Sequence, residues 1–182
     1  MDIGTFYALF SGTCFTLVGL WWNVVERRPD WVGDPRRRRL AGGIYLSFLL
    51  PGIMGLFAQV SPGSPVVWRA TFALVSLIGA TTTLRLVGAE RDTTLPGPFT
   101  RNRWAVALLY VLVLVLGAFP QLVDPMGAAP IQVAAFLLIG LVVLGHGLTW
   151  EFMTDPAGAE RDQAVAAPLD PSAPVDPSAP VA

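Results

Sequence analysis

The chain has 182 residues, 53% of them hydrophobic and only 14% charged, with a formal net charge of −1. A soluble domain is about 25% charged, so this composition excludes an ordinary water-soluble globule and points to an all-α integral membrane bundle. The near-neutral balance also weighs against nucleic acid as a partner, because phosphate binding needs a net basic face.

A membrane-crossing helix needs about 20 mostly apolar residues, and five runs meet that need. The first covers 3–25 and is free of charge. It follows Met1-Asp2 without the basic leader of a signal peptide, so an uncleaved span is expected. Within it, Ala8 and Gly12 form a small-xxx-small pair expected to pack on a neighbouring helix. Cys14, the single cysteine, is expected to be an inert packed thiol. Residues 26–39 read as a loop that carries Arg27, Arg28, Arg36, Arg37, Arg38 and Arg39.

The second run covers 40–60. It holds Gly42, Gly43, Gly52 and Gly55, with Pro51 at mid-span, where a missing backbone donor favours a bend. The third, 66–88, holds Arg69 and Arg85. They lie roughly 24 Å apart at ~1.5 Å per residue, so each is expected to snorkel towards its own interface. The fourth run covers 104–123 and the fifth 131–150, with His146 the only titratable group of the latter.

A membrane domain over 1–153 is therefore expected, followed by a tail over 154–182. The tail is acidic, rich in proline and alanine, and repeats Asp-Pro-Ser-Ala-Pro-Val from Asp170 and again from Asp176. Such a segment has too little apolar area to offset ordering entropy and is expected to be disordered.

Arginine sets the expected orientation. The 26–39 loop, the 89–103 loop and the tail together hold 10 of the 12 basic residues, and the connections on the opposite side hold none. The positive-inside rule then places the N-terminus outside and the C-terminus in the cytoplasm. All the basic residues are arginine, and Ala, Gly, Pro and Val abound. That bias fits a high-GC bacterial genome, hence a multi-pass protein of a bacterial plasma membrane. Trp21, Trp22, Trp68, Trp104 and Trp150 lie near span ends, where indole rings favour the headgroup zone.

The first two hairpins align at a fixed offset. Glu26 meets Glu90, Arg27 meets Arg91, Gly33 meets Gly97, Arg37 meets Arg101 and Arg39 meets Arg103. Equal orientation would make the pair a parallel repeat.

Chemistry is sparse. No glycine-rich phosphate loop is present, and one histidine is too few to found a metal centre. No catalytic residue, metal or cofactor is expected. Two patterns stand out. The consecutive Arg36, Arg37, Arg38 and Arg39 should attract anionic lipid headgroups. His146, with Glu151, Asn23 and Glu26 at similar depth, would form a polar cluster if the first and fifth spans are neighbours. It is either a packed histidine or a proton- or ligand-sensing site. The functional expectation is a non-catalytic accessory or regulatory component of a larger complex, in contact with the bilayer and with a membrane-protein partner or a second copy. The alternative is a small transporter or channel for a neutral or apolar solute. Pro51, the hydroxyls Thr81 to Thr83 and the hairpin alignment support that alternative.

Overall fold

The computed structural model describes residues 2–60, 65–89 and 104–154. Proline opens most of the helices, because its missing N–H falls where no intrahelical acceptor exists. Pro29 starts the short α2 (Pro29–Gly33), Pro35 starts α3 (Pro35–Val60), Pro65 starts α4 (Pro65–Ala89) and Pro130 starts the last helix, α6 (Pro130–Met153). The exceptions are α1 (Ile3–Glu26) and α5 (Trp104–Ala118). The Asp2 carboxylate caps α1 by accepting the Gly4 N–H at 3.1 Å.

Every regular element among the described residues is helical. Helices α1, α3, α4 and α6 are long and apolar enough to cross a membrane, and α5 is a shorter apolar helix. The protein is an all-α, multi-pass membrane bundle.

Two expected boundaries move. The second span starts at Pro35 instead of 40, so the arginines from Arg36 to Arg39 lie on the first turns of α3 and not in a loop. The Arg38 N–H bonds the Asp34 carbonyl at 2.9 Å, which closes that first turn. The fourth span stops as an α-helix at Ala118 instead of running to 123. Pro120 drives Phe119 out of helical geometry, to φ −127 and ψ 67, and the chain continues as a 3-10 segment (Pro120–Met126). Gly127, at φ 65, ends that segment in the left-handed conformation that glycine tolerates best.

Arg69 has backbone partners on a neighbouring helix. From α4 its Nε donates to the Gly117 carbonyl and its Nη2 to the Ala118 carbonyl, both at 3.0 Å. The guanidinium fork thereby satisfies the carbonyls that the early end of α5 leaves without intrahelical partners. Gly117 permits the close approach, since a methyl there would stand 3.2 Å from the Arg69 carbonyl oxygen.

Helix α3 is the centre, packed against α1, α2, α4 and α6. Half of its apolar window is buried (50%), against 17% for α1. The α1–α3 seam uses small residues: Gly52 lies against Cys14, and Gly55 against Ser11, whose hydroxyl donates to the Gly52 carbonyl at 3.1 Å. Cys14 is buried as a free thiol. The face that α1 turns inward is thus Tyr7, Ser11, Cys14 and Trp21. Ala8 and Gly12, the expected packing pair, are exposed on the opposite side. Helix α3 runs unbroken through the buried Pro51.

The tail beyond Thr154 lies outside the described residues. So do Glu90, Arg91, Gly97, Arg101 and Arg103 of the hairpin alignment, and the side chain of Arg36.

Candidate functional site

The chain concentrates its aromatic and cationic groups where α1 ends and α3 begins. Trp21 is buried and donates its indole N–H to the Ala41 carbonyl at 3.0 Å, which ties the two helices together. The short α2 then folds Trp31 over the end of the bundle. Its ring centroid lies 6.1 Å from that of Trp21 and 4.7 Å from that of Phe152 on α6. The Arg28 guanidinium stacks on Trp31, 5.1 Å from the ring centroid. Trp31 is 2% exposed, and its buried indole N–H has no acceptor among the described residues.

Beside this stack lies a half-open cavity of about 210 Å³. Trp21, Trp22 and Val25 of α1 form one wall, Trp31 of α2 closes an end, and Arg38, Ala41, Gly42 and Tyr45 of α3 form the other wall. Positions 38, 41, 42 and 45 share one helix face by their spacing. Trp22 and Tyr45 meet edge-to-face at 6.4 Å. Gly42 keeps the space open: a methyl group there would meet nothing within 4 Å. The lining is apolar except for Arg38, so the cavity suits a molecule that is apolar along its length and anionic at one end.

The other expected residues are distributed differently. His146 is exposed on α6 and stands 5.1 Å, edge-to-face, from the Phe48 ring on α3. Its Nδ1 lies 2.9 Å from the Val142 carbonyl. A carbonyl can only accept, so that nitrogen carries the proton. Gly145 beside it packs closely against Ser47 of α3. The structure thus turns His146 towards α3 and its own helix. Asn23 and Glu26 are exposed on α1, and Glu151 is half-buried on α6. Among the arginines, Arg38 and Arg39 are exposed and Arg37 is half-buried. Of these, Arg38 lines the cavity.

Sequence reasoning treated the tryptophans as separate anchors and did not single out Trp31, Tyr45 or Gly42. The signal lay in the spacing of Arg38, Ala41, Gly42 and Tyr45, legible only once α3 is known to begin at Pro35. The buried hydroxyls of Ser76 and Tyr110 also lack partners among the described residues. Tyr110 is wedged against Gly79, where a methyl would stand 2.5 Å from its ring, so no ligand space adjoins it there. No family model matches this sequence, and neither a curated protein nor a solved structure matches it.

Proposed function

We propose that the protein is a non-catalytic, membrane-embedded accessory or regulatory component of a larger complex. In this reading it sits in a bacterial plasma membrane with the N-terminus outside and the C-terminal segment in the cytoplasm. The observation that carries the reading is the outer face of α1. Thr5, Ala8, Gly12, Thr16 and Gly19 are exposed along it, and a methyl group at Gly12 or Gly19 would meet nothing within 4 Å. Glycine inside a helix costs about 1 kcal/mol relative to alanine. Among the described residues nothing packs against either glycine to offset that cost. Small residues are what let a second transmembrane helix approach closely in lipid, where hydrophobicity gives no drive to associate. Thr16 bonds its own helix at the Gly12 carbonyl, 2.8 Å away, so the face is smooth and self-satisfied. The occupant it suits is an apolar transmembrane helix of another protein.

A photo-crosslinking residue at Leu9, exposed on the same helix, should yield one discrete heteromeric adduct in native membranes. The same residue at Phe136, 75% exposed on α6, should yield none. The Leu9 adduct should vanish in a Gly12→Leu, Gly19→Leu variant that still folds. An adduct made only with a second copy of the chain would overturn the accessory reading. For orientation, a cytoplasm-dependent reporter fused after Asp155 should be active and one inserted at Gly63 silent. The reverse pattern would overturn the assigned sidedness.

A further inference from the structure

We infer that the cavity between α1 and α3 seats one anionic phospholipid from the surrounding bilayer, with its phosphate at Arg38 and the start of an acyl chain against the apolar wall that Trp22 and Tyr45 form. Three observations converge on this occupant. First, the cavity opens at the outside of the bundle, because Trp22, one of its walls, is 64% exposed. A molecule can enter it sideways from the membrane. Second, the polarity is ordered along α3. Arg38 and Tyr45 are seven residues apart on one face, or about 10 Å at ~1.5 Å per residue. Charge lies at the headgroup end and aromatic surface lies one step deeper. Arginine's planar fork matches phosphate. The apolar walls offer a free, hydrated anion little to replace its water. Third, the space is left open at Gly42.

The volume supports partial occupancy by a lipid. About 210 Å³ is roughly seven times the ~30 Å³ share of one liquid water. That accommodates a phosphoglycerol group or the head of a chain and leaves the remaining lipid in the bilayer. The site stands whether or not α1 has a protein partner.

The test is native mass spectrometry of the full chain in detergent, with phosphatidylglycerol and phosphatidylcholine of identical chains supplied together. The wild type should retain a single phosphatidylglycerol in preference to phosphatidylcholine. Arg38→Gln should lower that preference about fivefold, the share of one basic residue at a membrane surface. Gly42→Leu should abolish retention of both lipids while the melting temperature does not fall. Excess inorganic phosphate should leave lipid retention unchanged. Equal retention of the two lipids by the wild type would overturn the proposal. So would a preference that survives both substitutions, and so would displacement by inorganic phosphate, which would indicate an exposed anion site. Because Arg38 is exposed, its substitution keeps the test decisive even if Gly42→Leu fails to fold.

Discussion

Arg69 and Arg38 are the same residue type at two ends of the bundle, with opposite roles. Arg69 is turned inward: its fork holds the Gly117 and Ala118 carbonyls at the end of α5. Arg38 is exposed and lines an open cavity beside Trp22 and Tyr45. The difference is the supply of orphan acceptors. Pro120 stops α5 early and leaves carbonyls without intrahelical partners, so a nearby guanidinium is recruited to the backbone. At the start of α3 the free backbone groups are N–H donors, which offer a guanidinium no backbone acceptor. An arginine in a span is thus structural or available for a ligand according to which helix terminus it faces.

The sharpest way to break this comparison is Arg69→Ala. It leaves two backbone carbonyls without partners and should cost about 3 kcal/mol, since hydrogen bonds to charged groups contribute roughly 1.5–3 kcal/mol each. Thermal melting in detergent measures the loss. Arg69→Lys should recover only part of it, because an ammonium cannot fork across two acceptors. A fully stable Arg69→Ala protein would show that the carbonyls find other donors.

The two ends also predict opposite outcomes for the same small change. Gly117→Ala brings a methyl to within 3.2 Å of the Arg69 carbonyl oxygen and 3.4 Å of the Ala73 nitrogen. Overpacking of this kind costs about 1–3 kcal/mol. Gly42→Ala meets open space and should stabilise by up to about 1 kcal/mol through helix propensity. Equal effects in an unfolding titration would contradict the assigned packing.

A smaller contrast separates the two stacked tryptophans. Trp21→Phe deletes the bond to the Ala41 carbonyl and should cost about 1 kcal/mol beyond the lost ring area. Trp31→Phe deletes no bond, because its indole N–H has no acceptor. It should therefore be the milder substitution in lipid-free detergent. Smallest of all, Arg38→Gln should shift stability by less than about 0.5 kcal/mol, as for an exposed substitution away from packed groups. A large shift would mean that Arg38, like Arg69, is part of the framework.

The apolar runs by themselves determined that the chain is a multi-helix membrane bundle, because length and lack of charge are properties of each segment alone. They also located four of the five helix starts to within one residue, at Ile3, Pro65, Trp104 and Pro130. The inward faces were not legible. Lipid is as apolar as the bundle core, so no polar stripe marks the outside of a span. Ala8 and Gly12 therefore looked like packing residues, whereas Tyr7, Ser11 and Cys14 occupy the seam. The cluster around His146 rests on depth along the chain, and depth alone does not say that His146 stands edge-to-face with Phe48 on α3. The cavity, likewise, needs α2 to lay Trp31 across the end of α1 and needs α3 to begin at Pro35 in register with it. Those are relations between elements distant along the bundle axis or joined by a turn, and only tertiary packing decides them.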